Sequence, residues 1–362
     1  MHTGGLTPRW ASAPGETLEA VMSERRLDLD DLAPSLGLSA SDARRLLAGA
    51  LPLTVAIARN LSTTVGGTTE FWLTREAQYQ DDLARVQADK WSQGLPVAQM
   101  VKFGWMEKPS SWVDQIDECL RFFDVPDIGT WEQRYDRQVE AAHFRSSPSF
   151  DLEAGATTAW FRAGDLVAES RADLPPFDSH ALNELLPRLR DLTRVPQPER
   201  FVGDLVRLCA GAGLHVVVLP TPKGCSASGV ARRLGQHPLI QLSARHLTDD
   251  HLWFTFFHEV GHVLRHNLEM PFIDNLDDRE DIDGFEEEAN DFASEFLIGR
   301  APISRGALDR RNIIRTAHAN SISPGIVVGQ LQHRGLLRRE QFNYLKRRYV
   351  WNGTTLETRR RS

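Results

Sequence analysis

The chain has 362 residues, 41% of them hydrophobic, which suffices for two or three domains with sizeable cores. A net charge of −7 at pH 7 excludes a globally basic, nucleic-acid-binding composition. Cys119, Cys209 and Cys225 have no paired spacing, which excludes a disulfide framework and a cysteine zinc site, and the lack of any apolar run of about 18 residues or apolar leader predicts a cytoplasmic protein without a membrane span.

Residues 14–80 predict a small helical unit. Leu18, Val21 and Met22 mark a first amphipathic helix. A second, around Leu29–Leu36, stops at Gly37, and a third runs from Ser39 to about Ala48, with Gly49 as its stop. Further helices follow at Val55–Val65 and Thr69–Tyr79. Ala33, Gly37, Ala43 and Leu46 have the spacing of a helix-turn-helix: a small residue where two helices approach, a glycine at the turn, and apolar residues that pack back. Ser39–Leu47 is then the groove-facing helix, and Ser41, Arg44 and Arg45 are the expected DNA contacts within residues 29–50. Residues 1–70 nevertheless carry six Arg against eight Asp and Glu, so docking of a protein partner or a homodimer is the competing expectation.

Residues 81–200 read as a helical connecting domain. Trp91, Trp105, Trp112, Trp131 and Trp160 are expected in its core, and Pro175-Pro176 and the prolines at 196 and 198 mark loops. From 201 the pattern changes to a helix at 201–212 and strands at 214–219, 229–234 and 239–243, a small sheet packed on helices. Gln241, Ser243 and Arg245 are expected to line a substrate cleft beside a strand edge, to which an extended peptide adds.

The next helix carries the chemistry. Residues 258–262 read His-Glu-Val-Gly-His within an apolar stretch, Leu252 to Phe257 before and Val263-Leu264 after. Two histidines four apart on a helix point the same way, one turn apart, and their nitrogens can hold one Zn²⁺. Glu259 between them is the expected general base toward the water that the metal activates. Thr248 is a candidate cap, with Asp249 and Asp250 favoured in the first turn. Gly261 inside the helix implies close approach by another segment. Zinc needs a third protein ligand, and Phe285, Ala289, Phe292, Ala293 and Phe296 make a second apolar helical stripe downstream. Glu286 lies on one shoulder of that stripe with Asn290, which could orient a ligand from behind, and Glu288 lies on the other. Glu286 is the expected ligand and Glu288 its rival. His266 is expected beyond the site, and His251, Arg245 and His333 are the candidates for stabilising an oxyanion.

Residues 336–362 are expected to form a basic helix and tail, since residues 334–361 hold nine Arg and Lys interleaved with Phe342, Tyr344, Tyr349 and Trp351.

Two resemblances join these readings. Pro14-Gly15-Glu16, Leu36-Gly37-Leu38-Ser39, Arg45 to Gly49, Pro52-Leu53-Thr54 and Phe71-Trp72-Leu73 resemble the HigA-like branch of the XRE helix-turn-helix regulators. Leu242 to Arg245, Asp250 to His262, Glu286 to Ala293 and Ile322 to Gly329 resemble the ImmA/IrrE metallo-endopeptidases. The N-terminal match departs from its family at Ala50 and Leu51, where basic residues are usual, and at Pro34 and Asp42. The resemblance implies one zinc ion on His258, His262 and Glu286, Glu259 as general base, and a partner repressor as substrate in stress or mobile-element control. The expected fold is mainly α with a small β-sheet (α+β): a helix-turn-helix domain at 1–80, the connecting domain at 81–200 and a zincin-like metallopeptidase domain at 201–335. The alternative is a DNA-binding repressor or antitoxin whose peptidase domain is a sensor or scaffold.

Overall fold

A computed structural model of the chain describes residues 9–143, 150–171, 173–268, 272–274, 284–299 and 308–359. It is mainly helical with a small mixed sheet and a hairpin, and it divides into two compact units, residues 1–93 with 109–117 and residues 94–108 with 118–362.

The first unit is all helical: α1 (Pro14–Arg25), α2 (Leu29–Leu32) continued by a 3-10 turn (Ala33–Leu36), α3 (Ala40–Leu47), α4 (Val55–Thr64) and α5 (Thr69–Gln93). Its starts and stops follow local chemistry. Asp28, Ser39 and Thr54 accept from the backbone N–H groups of Asp30, Asp42 and Ile57, satisfying donors that the first turns leave open. Gly37 takes the left-handed conformation, φ +73°, that ends the second helical piece. Leu18, Leu36, Leu46, Leu61 and Trp72 fill the core between the helices.

The second unit begins with α6 (Val97–Lys102) and continues, past the start of α7 (Trp112–Phe123), through α8 (Ile128–His143), α9 (Phe150–Glu169), α10 (Ser179–Leu192) and α11 (Pro198–Gly211). Then come β1 (His215–Val218), β2 (Gly229–Leu234), β3 (His237–Leu242), α12 (Asp249–Arg265), β4 (Phe272–Asp274), α13 (Gly284–Ile298), α14 (Arg310–Ala319) and α15 (Pro324–His333). The sheet order is β1-β3-β2-β4, with β1 parallel to β3 and the other pairings antiparallel.

The sheet is covered on both faces. Val216, Ala231, Ile240 and Leu242 join the main core with Leu205, Trp253, Phe256 and Val260 of α11 and α12. Residues one step out of phase face α9, as the two-residue strand period requires. There Arg232, buried in the sheet, pairs with Asp165 at 2.5 Å and donates to the Phe161 carbonyl at 2.9 Å. Gln241 donates to the Trp160 carbonyl at 2.7 Å and accepts from Arg232 at 3.1 Å. The segment expected as a mere connector thus supplies a layer of the sheet.

The C-terminal expectation is corrected. A 3-10 turn (Asn343–Leu345) leads into a hairpin, β5 (Tyr349–Asn352) and β6 (Thr355–Thr358), in place of a basic helix. Tyr349, Val350 and Trp351 suit a strand, and Gly353-Thr354 makes the two-residue turn, with Gly353 at φ +58°. Arg347 is no loose cation: its guanidinium donates to the carbonyls of Thr193, Arg194 and Val195.

The start of α12 is anchored differently from the expected threonine cap. Thr248 occupies the cap position without a side-chain cap bond. Asp249 is buried instead, accepting from the Ser323 hydroxyl at 2.7 Å and from the Arg347 N–H at 3.0 Å. Burial pushes its carboxyl up to about 6, with Asp250 adding to the rise and Ser323 and Arg347 opposing it. A carboxyl raised above its unfolded value stabilises the fold fully below about pH 4, and that contribution is lost as pH rises through about 6. The gap from the ordinary 3.8 is worth about 3 kcal/mol. Asp249→Asn, which cannot ionise, should therefore gain stability relative to wild type by up to that amount as pH rises from 4 to 7. Paired denaturant melts test this, and parallel pH profiles would contradict it.

Candidate metal centre

Helices α12 and α13 build the centre. Leu252, Trp253, Phe256, Phe257, Val260 and Val263 bury α12 on several sides, so His258, Glu259 and His262 are carried inside, each at most 1% exposed. Gly261 lets α13 come close. A Cβ there would stand 3.1 Å from the Ala289 Cα and 3.3 Å from the Phe292 ring.

That approach brings Glu286 over the histidine pair. The two Nε2 atoms lie 3.0 Å apart, and the Glu286 oxygens lie 3.2 Å from His258 Nε2 and 3.4 Å from His262 Nε2. His258, His262 and Glu286 are the one group of potential metal ligands found together among the described residues. Their donor set fits zinc. Tetrahedral bonds of about 2.0–2.1 Å place ligand atoms about 3.3 Å apart, and nitrogen–carboxylate sets are preferred by this ion. Two imidazoles and a carboxylate converging in a buried place also need a partner cation to offset the cost of burying them.

The electrostatics agree with a ligand role. Burial lowers the basicity of His262, although Glu286 opposes this, and a neutral imidazole is the form that binds a metal. Burial would raise the Glu286 carboxyl, but hydrogen bonds from His258 and His262 and their charge outweigh it and hold it well below the ordinary carboxylate range.

Glu288, the rival ligand, points elsewhere and meets His266 at 3.1 Å. Its place on the opposite shoulder of α13 explains this. Asn290 meets His258 Nδ1 with its Oδ1 at 3.0 Å, on the side of the ring away from Glu286. Phe285, expected in the apolar stripe, is exposed with its ring edge against His266.

The cleft residues are corrected. Gln241 lies on the α9 face of the sheet, opposite α12, and is fully buried. Ser243 is also buried and donates to the Ser228 carbonyl at 3.1 Å, and Arg245 is exposed and donates to the Ser226 carbonyl at 2.7 Å. β3 is an inner strand with neighbours on both sides, so no peptide can add to it. The strand at the sheet margin that contacts α12 is β4. Of the oxyanion candidates, His251 stacks on His246, and His333 packs on Phe254, which in turn packs on His258. In the N-terminal unit Ser41, Arg44 and Arg45 are exposed on α3, but Arg44 pairs with Asp30 at 2.9 Å and Arg45 with Asp42 at 3.3 Å.

His266, expected beyond the site, lies outside the ligand group and meets His262 Nδ1 at 2.9 Å. Sequence reasoning missed one contributor, Gly229, which opens β2 and carries no local signal. A Cβ at Gly229 would stand 2.6 Å from Glu259 Oε1 and 2.5 Å from Thr255 Cγ2, so the missing side chain is the space in which the Glu259 carboxylate sits. Gly229→Ala should displace that carboxylate and lower kcat/KM by about 100-fold, the scale of an ångström-sized misplacement, with zinc content unchanged. Wild-type turnover in that variant would contradict the placement.

Comparison with known sequences agrees with this site. The family described as the IrrE N-terminal-like domain, a peptidase family, matches residues 209–331, from the end of α11 into α15. The matched span contains the sheet, α12 and α13, and hence every residue of the metal centre. No curated protein and no solved structure matches the chain. Among the described residues no helix is long and apolar enough to cross a membrane.

Proposed function

We propose that this chain, whose IrrE N-terminal-like metallopeptidase domain surrounds a His-His-Glu cluster, is a zinc-dependent endopeptidase that cuts a partner regulator protein. The observation that carries the reading is the convergence of His258, His262 and Glu286 beside a buried Glu259. A bound zinc supplies Lewis acidity and the activation of a water. His258, His262 and Glu286 would hold it. Glu259 takes the proton from the attacking water and delivers it to the leaving amine. The missing side chain of Gly229 leaves the space in which its carboxylate stands. The margin strand β4 favours an extended substrate that adds as a further strand, with pockets reading alternate side chains.

The reading is tested by incubating wild type and Glu259→Gln with the proteins encoded beside it and with a peptide library, followed by mass spectrometry. Fragments that need zinc and Glu259 are expected. Absence of any such fragment would overturn it.

A second reading, a DNA-binding repressor or antitoxin with the peptidase domain as sensor, draws on the α2–turn–α3 arrangement and the exposed Ser41, Arg44 and Arg45. Under it, zinc should change a gel shift on the promoter of the chain's own gene. Because both arginines are already paired with aspartates, any such binding should be weak and strongly salt-sensitive. The buried Glu259 favours the enzyme, since a scaffold needs no base there.

A further inference from the structure

We infer that His266 and Glu288 are positioning residues: together they form a directional hydrogen-bond relay that locks His262 in its metal-binding tautomer. The inference rests on the zinc reading above.

The atoms assign their own roles. His262 Nε2 faces His258 and Glu286, so with zinc bound it would be the ligand nitrogen and carry no proton. The proton of a neutral His262 ring then resides on Nδ1. That nitrogen lies 2.9 Å from His266 Nδ1, which must accept. His266, accepting at Nδ1, carries its proton on Nε2, which lies 3.1 Å from Glu288 Oε2 and donates to it. Each ring thus has one donor and one acceptor nitrogen, and the chain ends on a carboxylate acceptor without conflict.

The surroundings favour a fixed relay over a chance contact. The His266 side chain is only 2% exposed, although it lies one residue beyond the end of α12. Phe285 packs against the imidazole in a T-shaped contact with ring centroids 4.8 Å apart, which gives this otherwise exposed aromatic a purpose. Arg265 donates to the Glu288 carbonyl and packs on Phe292, tying the end of α12 to α13 where the relay crosses. The two ligand histidines are therefore supported unequally. His258 is backed by the neutral amide of Asn290, and His262 by an imidazole that a carboxylate polarises. Partners of this kind fix ring orientation and raise ligand basicity, and their loss typically weakens metal binding by about 10- to 100-fold.

The test uses the full-length protein and zinc alone. Competition with a chromogenic chelator should give His266→Ala a 10- to 100-fold weaker zinc affinity than wild type. His266→Gln, whose amide oxygen can accept from His262 Nδ1–H, should recover most of the loss, a rescue that simple loss of packing would not show. Glu288→Gln should be weakened by a smaller factor. If wild type binds one zinc and His266→Ala binds it equally well, the relay is overturned while the metal centre stands. If wild type takes up no zinc, the reading beneath it fails and the inference falls with it.

Discussion

Glu259→Gln should abolish peptide cleavage while leaving zinc bound. The side chain is fully buried and is no member of the ligand cluster, so an amide of the same size removes the proton acceptor and little else. A positioned general base contributes about 100- to 10,000-fold, and its loss should lower kcat by that factor. Metal analysis of the same sample separates this from a trivial cause. Full zinc content with residual activity near background is the expected pair of results. Wild-type turnover by the variant would remove Glu259 from the mechanism and leave the cluster as a structural site.

Stripping the metal should inactivate the enzyme altogether and also loosen the fold. An ion on His258, His262 and Glu286 would bind only the folded arrangement of α12 and α13, so its binding energy would add to stability. At free zinc a thousandfold above Kd that amounts to about 4 kcal/mol. With roughly 2–4 °C per kcal/mol for a domain of this size, chelation should lower Tm by roughly 10 °C. Scanning calorimetry before and after chelation measures it. Added zinc should restore both activity and Tm in wild type but neither in His262→Ala. An apo protein with unchanged Tm and activity would contradict the account.

The candidate site was legible in unequal parts, for physical reasons. α12 was readable because one contiguous segment carries its apolar faces, its ligand spacing and an anomalous glycine. Helical geometry separated Glu286 from Glu288, since residues two apart on α13 diverge by about 200°, and Asn290 one turn on from Glu286 decided between them. Gly37 and Ser39 were equally readable because turns and caps are local chemistry. The role of α9 was not, because Trp160 and Asp165 meet Gln241 and Arg232 across some 70 to 80 residues of chain. Gln241 misled for a related reason. A strand covered on both faces gives no alternation that tells its two sides apart, so a polar residue near the zinc helix read as cleft-lining when it faces α9. At the C-terminus the density of arginines obscured the Gly353-Thr354 turn, whose backbone requirement outweighs charge pattern in deciding between hairpin and helix.

The most direct measurement is X-ray absorption at the zinc edge of the purified protein, with metal content determined on the same sample. The account predicts one zinc per chain, bound by two imidazole nitrogens and carboxylate or water oxygen at about 2.0–2.1 Å, and loss of the imidazole signal in a His258→Ala, His262→Ala double variant. A protein without zinc, or a zinc whose neighbours are unchanged in that variant, would contradict it.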